Sequence, residues 1–98
     1  MNKDEVINKL REHEPELKAA GIVRLAMFGS VARGDNSPES DVDLLADFDK
    51  TRRYTLLTMG RLEYRLGELL GTRVYLSSPE WLKESVTGQA LREAVLAF

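Results

Sequence analysis

Residues 28–43, which contain the strongest indications of the fold, read Phe-Gly-Ser-Val-Ala-Arg-Gly-Asp-Asn-Ser-Pro-Glu-Ser-Asp-Val-Asp. Before it, residues 22–28 are almost continuously apolar, which predicts a buried central strand ending at Gly29. Residues 34–40 are rich in turn formers. Residues 41–49 then have apolar side chains at the even positions and aspartates at most odd positions. This alternation predicts a second strand with one face in the core and one face of carboxylates.

The same stretch carries residues suited to binding a phosphate. Gly29 lets the backbone approach a ligand without a β-carbon in the way, and Ser30 adds a hydroxyl where a helix can begin. Asp41 and Asp43 share one strand face, about 7 Å apart along the backbone. Two carboxylates so placed can share Mg²⁺ ions that bridge to phosphate oxygens. The combined pattern therefore predicts a site for a metal-bound phosphate ligand.

The flanking segments complete a small α/β fold. Apolar periodicity predicts helices at 3–14, 15–20, 54–70 and about 89–96, a third strand at 73–77, and a short helix after Pro79. The long helix also has a second stripe of Gly60, Tyr64 and Gly67, which either admits another helix or is merely tolerated. We predict one domain over residues 1–98, with a three-stranded sheet flanked by about four helices, because a chain this short buries too little surface for two cores.

The amino-acid composition excludes several kinds of catalytic and metal-binding site. The chain has no cysteine and a single histidine, His13, which excludes thiolate nucleophiles and cysteine-ligated metals and argues against a serine–histidine triad. With 14 Lys and Arg against 16 Asp and Glu, it does not have the basic surface of a nonspecific nucleic-acid binder. Residues 22–49 are acidic and residues 50–75 basic. An acidic segment followed by a basic one suits a site that holds a cation beside an anionic ligand. Alternatively, the two segments neutralise each other's charge across the fold.

The location is also predicted from the sequence. No apolar run approaches the roughly 20 residues that span a bilayer. The first five residues, Met-Asn-Lys-Asp-Glu, do not begin a signal peptide. We therefore expect a cytoplasmic protein without a membrane contact.

Residues 28–35 and 40–45 resemble the signature of the DNA polymerase β-like nucleotidyltransferases, and most closely that of the minimal nucleotidyltransferase (MNT) antitoxins encoded beside HEPN ribonuclease toxins. The resemblance implies a nucleotidyltransferase-fold sandwich and a Mg²⁺-dependent transfer of AMP from ATP to tyrosine hydroxyls of a HEPN toxin. It implies Asp41 and Asp43 as catalytic residues and metal ligands. It implies Gly29 and Ser30 as holders of the triphosphate, and Arg33 as a phosphate contact. It also implies a hetero-oligomer with the toxin, or a homodimer, and no direct contact with nucleic acid.

Tyr75 is a departure from the family pattern. The family usually carries a third carboxylate on the next strand, in a pattern like Val-Asp-Leu, whereas residues 74–76 here are Val-Tyr-Leu. A phenol is a poor Mg²⁺ ligand. An alternative function is therefore an impaired antitoxin that neutralises its partner by binding alone, and a weaker one is a nucleotide-sensing domain. Two structural alternatives also stay open: Asp47 or Asp49 replaces the missing acid, or Tyr75 occupies the acceptor position and blocks or accepts the nucleotide.

Overall fold

Two long antiparallel strands form the centre of the sheet. The computed structural model describes residues 1–37 and 39–98, with only the backbone of residues 86 and 87. The apolar run forms β1 (Ile22–Phe28), and the alternating segment forms β2 (Val42–Phe48). Strand β3 (Val74–Ser77) lies parallel to β2, and β4 (Val95–Leu96) lies antiparallel to β1. The order across the sheet is β3-β2-β1-β4.

Helices connect the strands, and polar side chains cap the N-termini of two of them. In the part of the chain that the structure describes, they are α1 (Lys3–Glu12), α2 (Glu14–Ala19), α3 (Gly29–Arg33), α4 (Leu56–Leu70), a 3₁₀ helix (Pro79–Trp81) and α5 (Glu84–Glu93). The Asn2 side chain accepts a hydrogen bond from the Glu5 amide at 2.9 Å, and Thr55 caps α4 in the same way. Helix α4 ends at Gly71, whose φ of 69° few other residues adopt.

One hydrophobic cluster joins the sheet to helices α1, α2, α3 and α4. Its most deeply buried large side chains are Val6, Leu10, Leu17, Ile22, Leu25, Met27, Val31, Val42, Leu44 and Leu66. In β2 the even residues Val42, Leu44 and Ala46 are at most 1% exposed, as the alternation predicts. The aspartates of β2 therefore face away from this cluster, on the other side of the sheet.

The α/β class is confirmed, but the sheet has four strands where the sequence predicted three. The predicted last helix over 89–96 is wrong at its end: α5 stops at Glu93 and the chain turns into β4. The physical reason is the open edge of β1. Leu25 donates to the Phe98 carbonyl at 3.1 Å and accepts from the Ala97 amide at 2.8 Å, so the apolar terminus satisfies backbone groups that would otherwise lack partners.

A smaller difference concerns Gly88. Gly88 was predicted to interrupt the chain before the last helix, yet it lies inside α5. Part of the predicted turn over 34–40, Pro38, lies outside the described residues.

The outer edge of the sheet is covered by a side chain of α4. The amide of Leu76, in β3, donates to the Glu63 carboxylate at 2.9 Å. Glu63 therefore satisfies a backbone donor on the side of β3 that faces away from β2.

None of the helices within residues 1–37 and 39–98 is both long enough and apolar enough to cross a membrane.

Candidate active site

The site is built where β1 ends, α3 begins and β2 starts. Phe28 is the last residue of β1, and Gly29 begins α3 with a φ of 79°. A β-carbon on Gly29 would overlap the carboxylate of Asp43. Two features therefore favour glycine at this position: its backbone angle and the close approach of an acidic side chain. Gly34, with a φ of 80°, closes the short helix and turns the chain back towards β2.

Asp43 occupies the centre of the candidate site. It pairs in register with Phe28 of β1 on one side and with Tyr75 of β3 on the other. Asp41 precedes β2 by one residue and lies two positions from Asp43, so both carboxylates point to the same side of the sheet. The backbone thus brings the two aspartates to the Gly29-Ser30 junction, as the sequence predicts.

The electrostatics of this pair favour a cation. Burial raises the pKa of the Asp43 carboxyl, the negative charge of Asp41 raises it further, and the charge of Arg33 lowers it in part. A cation bound at the site would offset both effects and favour the ionised Asp43 carboxylate. Oxygen donors in this arrangement match Mg²⁺, which takes one or two protein carboxylates and fills its other positions with water and phosphate oxygens.

A metal held by protein side chains alone does not fit the site. Within the described ranges, no group of three or more His, Cys, Asp or Glu side chains is placed to hold a metal ion. Asp41 and Asp43 provide a two-carboxylate site that a phosphate ligand would have to complete.

Arg33 lies at the rim of the site and is held by two acidic side chains. Its guanidinium donates to Asp35 at 3.1 Å and to Glu93 of α5 at 3.0 Å. These hydrogen bonds raise the pKa of Arg33 above its usual range. A cavity of about 200 Å³ between α3 and α5 is lined by Phe28, Gly29, Arg33, Gln89, Ala90 and Glu93. Sequence reasoning missed the α5 residues, because no local pattern indicates that position 93 meets position 33.

Tyr75 and Arg73 lie beside the two aspartates, on the neighbouring segment of the sheet. The parallel register sets Tyr75 beside Asp43, and Val74 beside Val42, so Arg73 falls beside Asp41. Tyr75 is 47% exposed, which agrees with its predicted outward position. The pKa of Arg73 is raised first by its hydrogen bond with Tyr75 and further by the negative charge of Asp41. The position where the family pattern has an acid therefore holds a phenol paired with a cation.

Asp47 and Asp49 do not join the carboxylate pair. Asp47 follows Asp43 by four residues, about 13 Å along an extended strand. The Asp49 carboxylate accepts from the Thr51 amide at 2.9 Å and from the Thr51 hydroxyl at 2.6 Å, and these bonds lower the pKa of Asp49. Neither aspartate is therefore placed to replace the missing third acid.

A larger groove lies at the opposite end of β2. It has a volume of about 680 Å³ and is lined by Asp47, Phe48, Asp49, Lys50, Arg52, Tyr54, Ser78, Pro79, Glu80 and Trp81. The Phe48 and Trp81 rings are stacked there, with centroids 5.6 Å apart. This groove is separated from Asp41 and Asp43 by the length of the strand, so its size does not make it part of the carboxylate site.

Sequence and structure comparisons place these features in a known family. Residues 4–96 match the family described as nucleotidyltransferase domain. The protein adenylyltransferase MntA of Thermococcus cleftensis is 38% identical over 93 residues, which cover 94% of this chain and 92% of that protein. A solved structure of a protein provisionally named a minimal nucleotidyltransferase is 42% identical, with a TM-score of 0.77, and the match covers 97% of this chain and 95% of that one.

A more distant structure shares the fold. It is a toxin–antitoxin crystal structure with AMP-PNP, matched with a TM-score of 0.71 at 18% identity over 100% of this chain and 73% of that one. The resemblance inferred from residues 28–35 and 40–45 is thus confirmed over almost the whole sequence. The chain belongs to the nucleotidyltransferase domain family of transferases.

Proposed function

We propose that this chain is an antitoxin that transfers AMP from ATP to a hydroxyl group of a partner toxin. The observation that carries the proposal is the close approach of Gly29 to Asp43. It places a stretch of backbone without a side chain directly beside the two carboxylates. The relative named protein adenylyltransferase MntA and the toxin–antitoxin structure with AMP-PNP support the choice of reaction and partner. The two specific details, a HEPN-type toxin and a tyrosine acceptor, rest on the family resemblance.

Each site residue has a role in this proposal. Asp41 and Asp43 would hold Mg²⁺ together with the triphosphate, and the ion would supply positive charge that neutralises phosphate oxygens. Gly29 leaves room for the triphosphate to approach the backbone, and Ser30 donates its hydroxyl to a phosphate oxygen. Arg33 reaches the same phosphates from the rim once it leaves Asp35 and Glu93.

The reaction is a displacement at the α-phosphorus of ATP. The acceptor hydroxyl forms a bond to that phosphorus, the bond to the bridging oxygen of the β-phosphate breaks, and pyrophosphate leaves. The chain itself contributes mainly positioning and charge compensation, because Asp41, Asp43 and Gly29 fix the triphosphate relative to the incoming hydroxyl. The acceptor comes from a partner in a hetero-oligomer, and no nucleic acid takes part. A cytoplasmic location stays a prediction from the sequence.

A second function, neutralisation by binding alone, is favoured by one observation. Tyr75 stands in register with Asp43, where the family pattern has an acid, and a phenol adds no carboxylate charge to the pair. Transfer would then be weak, and the toxin would be silenced by the contact itself.

The experiment that separates the two functions is a transfer assay with the toxin encoded by the neighbouring gene. Labelled ATP, Mg²⁺ and that toxin should give labelled toxin with the wild-type chain and none with Asp41→Asn or Asp43→Asn. Asp47→Asn is the matched control, because Asp47 lies on the same strand face but away from the pair. Size-exclusion chromatography of the complex is measured in parallel. An intact complex with no label above the Asp43→Asn background would reject transfer and leave binding alone.

A second variant tests the missing acid. Tyr75→Asp restores the family pattern at the position beside Asp43. If the third acid limits the reaction, labelling of the toxin rises. If labelling does not rise, the absent carboxylate is not the limiting defect.

A further inference from the structure

The neighbour of Asp43 on β3 carries a hydroxyl group. Asp43 and Tyr75 are register partners on parallel strands, which lie about 4.8 Å apart. Paired residues project to the same side of a sheet, so the phenol of Tyr75 rises from the same face as the carboxylate. A tyrosine side chain is longer than an aspartate side chain. The Tyr75 hydroxyl forms a hydrogen bond with the Arg73 side chain, on the face of the sheet where a phosphate bound to Asp41 and Asp43 would lie.

Tyr75 differs from the other two tyrosines in its position and in the contacts of its hydroxyl. The Tyr54 hydroxyl donates to the backbone carbonyls of Asp49 at 3.1 Å and Gly21 at 3.3 Å, so it is committed to the fold. Tyr64 is 72% exposed on α4, away from β2. Tyr75 is 47% exposed, its hydroxyl is hydrogen-bonded to the Arg73 side chain, and it lies on the candidate site itself.

We propose that Tyr75 is an acceptor within the same chain, so that the protein adenylylates itself at this hydroxyl; this rests on the proposed transfer activity. The Tyr75 oxygen forms a bond to the α-phosphorus of ATP, the bond to the bridging oxygen of the β-phosphate breaks, and pyrophosphate leaves. The phenolic proton passes to water, to which Tyr75 is open. ATP is the only co-reactant, and nothing is oxidised or reduced.

Modification would close the site. The phosphodiester on Tyr75 carries a negative charge and stands beside Asp43, so it occupies the place of the next triphosphate and repels it. A chain that has modified itself therefore no longer transfers to a partner. The Tyr75 hydroxyl competes in this way with the partner's acceptor.

The test is incubation of the full chain with ATP and Mg²⁺, followed by intact mass and peptide mapping. We expect one adenylyl group per chain, on the peptide that contains Tyr75. Tyr75→Phe and Asp43→Asn should lose the label, and Tyr64→Phe, the matched control at an exposed tyrosine, should keep it. Label on another residue, or label that persists in Tyr75→Phe, would overturn the proposal.

A mixing experiment tests transfer within one chain. Tyr75→Phe keeps Asp41 and Asp43, whereas Asp43→Asn keeps Tyr75. When the two variants are mixed with ATP and Mg²⁺, transfer within one chain predicts no label on Tyr75 of the Asp43→Asn chain. Label there would mean transfer between chains and would reject the arrangement proposed.

The partner toxin is included in a parallel reaction, so that the two proposals fail separately. Labelled toxin with unlabelled Tyr75 rejects self-modification and leaves the proposed function standing. Label on neither protein rejects both.

Discussion

The carboxylate of Asp43 lies where a β-carbon on Gly29 would stand. We expect Gly29→Ala to cost about 1–3 kcal/mol of folding free energy from backbone strain at a φ of 79°. The added methyl group would also displace Asp43, and a misplacement of about 1 Å can reduce a rate roughly a hundredfold. The measurements are urea unfolding and the toxin-labelling rate.

Gly34→Ala separates these two effects. Gly34 has nearly the same backbone angle, a φ of 80°, but among the described residues no heavy atom beyond its own chain neighbours lies within 4 Å of a β-carbon built there. It should therefore cost similar stability while keeping the labelling rate near that of the wild type. Equal losses of rate in both variants would show that strain, not the contact with Asp43, governs activity.

Asp43→Asn should stabilise the metal-free protein while it abolishes transfer. Burial and the negative charge of Asp41 both disfavour the ionised Asp43 carboxylate, and this raises its pKa. A neutral amide removes that cost, so we expect the free energy of unfolding in EDTA to rise. Asp47→Asn, at an exposed position, should change it by less than about 0.5 kcal/mol. A less stable Asp43→Asn protein would contradict this account.

Freeing Arg33 should strengthen ATP binding. In the structure Arg33 must leave Glu93 and Asp35 before it can meet a phosphate. Glu93 competes with phosphate for the Arg33 guanidinium, so Glu93→Gln should lower the KM for ATP by up to about fivefold. Arg33→Ala should raise the KM, and Glu84→Gln, at the other end of α5, should leave it unchanged. An unaltered KM in both Glu93→Gln and Arg33→Ala would remove Arg33 from the phosphate site.

A contact between α2 and α4 should make stability depend on pH. Arg65 donates to Glu16 through two nitrogens, at 2.8 and 2.9 Å, and the hydrogen bond lowers the pKa of Glu16. A lowered pKa in the folded state means that this stabilisation is present above the unfolded-state pKa and is lost as the pH falls through the folded-state pKa. Arg65→Ala should therefore be less stable than the wild type near neutral pH. In urea titrations the difference should vanish once Glu16 is protonated.

Helix α4 offers a test of the predicted partner stripe. Gly60 is exposed, and nothing lies within 4 Å of a β-carbon built on it. Gly60→Ala should therefore stabilise the protein by up to about 1 kcal/mol through helix propensity. At Gly67 the new β-carbon would lie 3.2 Å from the Thr72 carbonyl, so the gain should be smaller. If a partner helix packs on this stripe, Gly60→Ala also weakens the toxin complex; unchanged binding would show that the glycine is merely tolerated.

The parts of the fold that sequence predicted well are those governed by local periodicity. The apolar run of β1 and the alternation of β2 each required only one segment, and both strands have the predicted core. Strand β4 was missed because two residues have no periodicity. Its position depends on the hydrogen bonds that Leu25 exchanges with Ala97 and Phe98 at the far end of the chain.

The site residues also divide into those that the local sequence predicts and those whose position depends on long-range contacts. Gly29, Ser30, Asp41 and Asp43 were predicted from one continuous segment, residues 28–43, which joins β1 to β2. The pairing of Arg33 with Glu93 joins residues 60 positions apart, and no local pattern indicates it. The outward position of Tyr75 could be predicted from alternation. Its register beside Asp43 depends on how β3 docks against β2, and only the structure gives that.

The Glu63 carboxylate that accepts from the Leu76 amide has a consequence for association. An exposed strand edge recruits strands from other molecules through unpaired backbone groups. Glu63 already occupies one such group in the four-residue β3, and its charge would be buried unfavourably by an incoming strand. The sheet therefore resists extension at this edge, so aggregation by edge-to-edge stacking is disfavoured there. A binding partner at this edge would have to recognise side chains rather than add a strand.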